Sequence, residues 1–132
     1  MRQQPAESVL AWADQLSPQQ VAITAMNEAE ILHGIARMPD SQRKQQLEHG
    51  WDALLTTVLQ HPVLPFDSDA AHWFAALVSH REGMGRPIST ADAVIAATAL
   101  AHHGQLATRN TADFEAIGLP LINPWSLDGR SS

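Results

Sequence analysis

Residues 87–114 constrain this chain more than any other stretch. Pro87-Ile88-Ser89-Thr90-Ala91-Asp92-Ala93-Val94-Ile95-Ala96-Ala97 reads as a loop entering a helix. Gly104-Gln105-Leu106-Ala107-Thr108-Arg109-Asn110-Thr111-Ala112-Asp113-Phe114 reads as a turn, a short strand and a second helix start. A helix followed by a strand that ends in polar residues is half of an α/β crossover. In open α/β sheets, ligands bind outside the carboxyl ends of the strands. Asp92 and Asp113 each stand at a helix start. Two acids brought to one such edge could hold a hard cation.

Both aspartates also have a purely structural explanation. Ser89-Thr90-Ala91-Asp92 and Asn110-Thr111-Ala112-Asp113 share the capping spacing. In that pattern a side chain accepts from the first turn and the acid sits at the positive helix end. A carboxylate held in a first turn is also preorganised to bind a metal, so the two explanations coexist. Asn27, Glu30 and Gly34 fall on one side of an earlier helix, opposite Ile31, Leu32 and Ile35. A solvated face explains them, yet a glycine inside a helix costs about 1 kcal/mol and often marks a close approach.

The bulk numbers narrow the class. A chain of 132 residues, 45% hydrophobic and 17% charged, suits one globular domain. We expect a single domain over 1–125 with a polar tail over 126–132. No apolar run is long enough to span a membrane, and the first residues lack a signal-peptide apolar core. There are no cysteines, which removes disulfides and thiolate metal sites. A cytoplasmic location follows as the default expectation. The net charge of −6 argues against passive affinity for nucleic acid, which rests on phosphate neutralisation. Arg81, Arg86 and Arg109 lie near the acids and are expected as solvated surface. Seven histidines show no zinc-site spacing, and no dinucleotide fingerprint, phosphate-binding loop or nucleophile elbow is present.

Apolar spacing predicts helices over 6–16, 25–37, 40–60, 67–84 and 90–103. Thr24 and Asp67 are the expected caps of the second and fourth. The inward positions should include Leu47, Trp51, Leu54, Leu55 and Val58 on the third. On the fourth they should be Ala71, Phe74, Leu77 and Val78, with Gly104 closing the fifth. Trp12, Trp51 and Trp73 are expected in the core. Short strands are expected over 20–23, 63–66, 105–108 and 120–123. Alternation of this kind implies a mainly parallel sheet flanked by helices, an α/β three-layer fold. Four short strands make a thin sheet for so much helix.

At this point four segments resemble the PIN-domain ribonucleases, in the order and spacing of the bacterial VapC and FitB toxins. Thr24-Ala25-Met26-Asn27-Glu28-Ala29-Glu30-Ile31-Leu32-His33-Gly34-Ile35 is similar to their second-acid helix. Ile88 to Ala97 is similar to the third-acid helix, Leu106 to Phe114 to the fourth, and Leu121-Ile122-Asn123-Pro124-Trp125 to the closing strand. The resemblance implies a metal-dependent endoribonuclease, the toxin half of a toxin–antitoxin pair. It implies Glu30, Asp92 and Asp113 as metal ligands, or acids that orient them, around Mg²⁺ or Mn²⁺. Thr108, Asn110 and Asn27 would be polar groups behind those ligands, with Asn110 standing where some relatives use an acid. It further implies a VapB-like antitoxin, an RNA substrate and a homodimer.

The chain departs from that pattern at one point. The family begins with a hydrophobic strand ending in Asp-Thr-Asn, whose aspartate is the first metal ligand. Arg2-Gln3-Gln4-Pro5 resembles the family some dozen residues further in. Without that strand an acid is lost, and the pairing between 20–23 and 105–108 is interrupted. Either Met1 is internal to a longer reading frame, with an acid-bearing strand encoded upstream, or the chain is a truncated toxin. Two other functions stay open: an inactive PIN-like module that binds an antitoxin or itself, and an unrelated α/β protein whose acids only cap helices.

Overall fold

In a computed structural model of the chain, the described residues are 22–53, 63–108 and 110–123. The expected helix over 6–16 with Trp12, the positions Leu54, Leu55 and Val58, Arg109 and the closing Pro124-Trp125 lie outside them. Contacts divide the chain into two compact units, Leu16–Pro65 and the remainder.

In the unit Leu16–Pro65, helix α1 (Ala25–Ala36) begins at Thr24 with a reciprocal cap. The Thr24 hydroxyl accepts from the Asn27 N–H at 3.1 Å, and Asn27 Oδ1 accepts from the Thr24 N–H at 3.3 Å. Thr24 is buried, so the cap also satisfies backbone groups that water does not reach. It pairs in parallel with Leu64: the Leu64 N–H donates to the Ile23 carbonyl and the Ala25 N–H to the Leu64 carbonyl, each at 2.8 Å. Helix α2 (Gln42–Ala53) buries Trp51, as its spacing predicts. The apolar side of α1 is only partly covered, and Leu47 of α2 does not take the inward position expected of it. Ile31 and Leu32 remain 40% and 46% exposed and Leu47 of α2 41%. Packing α1 against α2 covers one side of each helix, and the stripe is wider than that contact.

The second unit carries helices α3 (Ser68–Gly83) and α4 (Thr90–Ala101), strands β1 (Leu106–Ala107) and β2 (Leu121–Ile122), and the 3₁₀ helix Thr111–Phe114. Asp67 caps α3 by accepting from the Ala70 N–H at 3.0 Å. The inward face of α3 is Ala70, Leu77 and Arg81, with Phe74 half-buried; Ala71 is exposed. That face runs i, i+4, i+7, i+11 and ends on a cation, which apolar spacing alone does not report. Trp73 stands off it, 43% exposed, contrary to the expected core role. Helix α4 is buried along Ala93 and from Ile95 to Leu100. Its alanines keep helix propensity high and allow close packing against α3.

Helices α3 and α4 close with the same hydrogen-bond pattern. After α3, the Arg86 N–H reaches the Arg81 carbonyl and the Gly85 N–H that of Glu82, with Gly85 at φ 74. After α4, the Gly104 N–H reaches the Ala99 carbonyl and the His103 N–H that of Leu100. The left-handed residue there is His103, at φ 56, not the expected Gly104. Gly104 comes one position later in this closure.

Strands β1 and β2 pair in parallel, Leu106 opposite Leu121 and Ala107 opposite Ile122. Among the described residues, strand pairing is confined to this ladder and the Thr24–Leu64 bridge. Parallel pairing between helices is the α/β architecture expected. No described helix is long and apolar enough to cross a membrane.

Candidate functional site

Asp92 lies in the first turn of α4 and is half-buried. Its backbone N–H donates to the Ser89 hydroxyl at 3.2 Å, so the cap expected from Ser89-Thr90-Ala91-Asp92 forms. The Asp92 side chain does not take part in that cap. It sits at the positive end of a helix, where a negative charge is favoured.

Asp113 lies in the 3₁₀ helix Thr111–Phe114 and is exposed. Here the matching cap does not form, because Asn110 makes no side-chain capping bond. The Asp113 N–H donates instead to the Asn110 carbonyl at 3.1 Å, and the Asn110 N–H donates to the Thr108 hydroxyl at 3.1 Å. Thr108 extends β1, its N–H bonded to the Ile122 carbonyl at 2.9 Å. The polar residues after β1 therefore form a turn at the carboxyl end of a parallel strand, the place where α/β sheets bind ligands.

Glu30 belongs to the other unit, on the exposed side of α1. Asn27, one turn before it, spends its side-chain oxygen on the Thr24 cap, accepting from the Thr24 hydroxyl at 2.8 Å as well. Among the described residues, no hydrogen bond or ion pair engages the carboxylates of Glu30, Asp92 or Asp113. Also among the described residues, no three or more histidine, aspartate or glutamate side chains are gathered as a metal site. The donor set at these positions is oxygen only, the chemistry that suits Mg²⁺ or Mn²⁺ rather than zinc.

Residues 2–119 match the PIN domain family. The chain belongs to the PIN-domain family. This PIN domain is 39% identical over 122 residues to VapC ribonuclease Y4jK of Sinorhizobium fredii, covering 92% of this chain and 87% of that one. It is 34% identical over 125 residues to toxin FitB of Neisseria gonorrhoeae, covering 95% and 90%. Among solved structures it resembles that of FitAB bound to an IR36 DNA fragment, with a TM-score of 0.87, 34% identity and coverage of 98% and 91%. A VapBC-5 toxin–antitoxin structure from Mycobacterium tuberculosis matches with a TM-score of 0.65 and 25% identity, covering 78% of this chain and 81% of that one. These likenesses place the PIN domain with VapC/FitB-type toxins.

One residue near Asp113 departs from the sequence expectation. Arg81, expected on the surface, is only 4% exposed. Its Nε donates to the Arg86 carbonyl at 2.6 Å, and its Nη1 to the carbonyls of Asp113 at 2.9 Å and Glu115 at 3.2 Å. The available signal was its position, one turn past Leu77 on the inward stripe of α3. Arg86 is exposed as expected and faces Glu115 at 3.5 Å.

Proposed function

We propose that this chain is the ribonuclease toxin of a toxin–antitoxin pair, hydrolysing RNA phosphodiester bonds with Mg²⁺ or Mn²⁺ held by Glu30, Asp92 and Asp113. The observation that carries this reading is that Asp92 and Asp113 have their backbones fixed while, among the described residues, no donor engages their carboxylates. The Ser89 cap is complete without the Asp92 side chain. The Asp92 carboxylate is therefore left over from the cap, at the positive helix end, with its oxygens available to a cation. The 3₁₀ turn is likewise closed by the Asn110 carbonyl rather than by the Asp113 side chain.

Bound to these carboxylates, a divalent cation would polarise the scissile phosphate and lower the pKa of an attacking water. The chain's own residues set the stage for that chemistry. Asp92 and Asp113 supply negative charge at held positions, and Glu30 supplies a third carboxylate from α1. Thr108 fixes the turn that leads to Asp113 by accepting from Asn110. The net charge of −6 gives the chain no general attraction for RNA, so positive charge held by these acids would offset part of the repulsion. A VapB-like antitoxin is the partner proposed by likeness to the FitAB and VapBC structures; a homodimer and a cytoplasmic location are proposed beside it.

The test is a cleavage assay on structured RNA with and without Mg²⁺. Asp92→Asn and Glu30→Gln should each reduce cleavage about 10²-fold or more, the scale seen on removing one stabiliser of transition-state charge. Both should keep native far-UV circular dichroism. Cleavage by both variants at the parent rate would sink the assignment of these acids.

A further inference from the structure

We infer that Arg81 is a positioning residue for the proposed cation site, clamping the loop that leads into the Asp92 turn to the segment that carries Asp113. The inference rests on the proposed function for the identity of the site, but the clamp itself is a matter of geometry. A guanidinium buried to this degree is expensive unless its donors are used. Arg81 has no carboxylate partner among the described residues; its hydrogen bonds to them go to main-chain carbonyls. One of these, Arg86, lies in the loop that leads to the Ser89 cap and Asp92. The other two, Asp113 and Glu115, lie in the segment that carries the second acid. One rigid fork thus sets both loops from a single helix position.

The chemistry of the fork makes the role specific. Guanidinium is planar, with donors in fixed directions, so it holds several carbonyls in one defined arrangement. A lysine ammonium keeps the charge but loses that arrangement. A metal site needs its carboxylates held to a fraction of an ångström, and groups that orient ligands typically change metal affinity 10–100-fold when altered. The Arg86–Glu115 ion pair joins the same two loops, but its side chains are 45% and 52% exposed. Solvent screens such a pair, so it contributes little to the clamp.

The experiment uses the full chain and Mn²⁺ alone as the probe. Binding is read by titration, and backbone order by hydrogen exchange. Arg81→Lys should fold, weaken Mn²⁺ binding by about 10-fold or more, and speed exchange over 86–89 and 110–116. Glu115→Gln, which removes the exposed pair and leaves the Arg81 bonds, should change Mn²⁺ affinity less than about twofold. An Arg81→Lys protein that binds Mn²⁺ like the parent overturns the inference. A second measurement needs no variant: Mn²⁺ should slow exchange in the parent over 86–92 and 110–116 together. Protection of only one of these segments overturns the clamp even if Arg81→Lys fails to fold. Asp92→Asn separates the two levels. If it binds Mn²⁺ as the parent does, the cation site is lost and the inference falls with it. If it loses Mn²⁺ while Arg81→Lys keeps it, only the clamp is wrong.

Discussion

The segment carrying Asp92 is held by its own helix, whereas the segment carrying Asp113 is held by a side chain from another. Asp92 sits in an α-helix of twelve residues whose first turn is closed by Ser89. Asp113 sits in a 3₁₀ helix of four residues with no side-chain cap, and its carbonyl is fixed by Arg81 of α3. Phe114, the next residue, is buried and adds an apolar anchor. A long helix supplies its own hydrogen bonds and dipole. A short 3₁₀ turn supplies little of either and depends on tertiary contacts. The difference teaches that the turn carrying Asp92 is closed locally, with Arg81 holding only the loop before it, whereas the turn carrying Asp113 depends on Arg81 directly, so the two should respond differently to substitution.

The largest expected effect breaks the non-local side. Arg81→Met keeps the length of the side chain and removes the hydrogen bonds to Arg86, Asp113 and Glu115. The three carbonyls belong to exposed residues and their bonds are part-buried, so losing the donor costs toward the low end of about 1–3 kcal/mol each, partly offset because the buried charge also disappears. A net loss of about 3 kcal/mol is expected in urea unfolding. If the midpoint moves no more than for the Ser89 change below, the Asp113 segment does not depend on Arg81.

The next effect tests the local side. Ser89→Ala should cost about 1 kcal/mol by removing the cap of α4. Asn110→Ala should cost no more than about 0.3 kcal/mol, because no capping bond is there to lose. Equal losses in paired thermal melts would contradict the contrast between the two starts.

The same contrast explains what could be read from the chain without coordinates. The starts of α1 and α3, the Ser89 cap, the burial of Trp51 and the strands around 106–107 and 121–122 all follow from local patterns; that these two strands pair does not. Asn110-Thr111-Ala112-Asp113 has the same spacing as Ser89-Thr90-Ala91-Asp92, yet only the serine caps. Asn110 is followed by a turn that closes on its carbonyl, and nothing in the four residues reports that choice. The position of Arg81 on the inward stripe hints at its burial, but the carbonyls that make that burial tolerable lie up to 34 residues away and no local pattern reports them. The exposed apolar residues of α1 follow from how little of the helix α2 covers. The acids themselves were legible as residue types in family spacing, not as a geometry.

The smallest expected effect concerns the backbone at the edge of each segment. The loop toward Asp92 turns through Gly85, at φ 74, where glycine has no Cβ to strain. The loop leaving Asp113 turns through Ala116, at φ 65, where an L-residue is held in the left-handed region. Left-handed backbone costs a non-glycine residue about 1–2 kcal/mol. Replacing it with glycine returns part of that to the unfolded chain as entropy, about 0.5–1 kcal/mol. Ala116→Gly should therefore stabilise the protein by about 0.5 kcal/mol, whereas Gly85→Ala should destabilise it by about 1 kcal/mol. Opposite shifts in melting temperature are the expected result. If Ala116→Gly lowers the melting temperature, the methyl of Ala116 contributes more through packing than its backbone loses through strain. Its neighbours in the shallow groove with Trp73 and Leu77 are where that packing would lie.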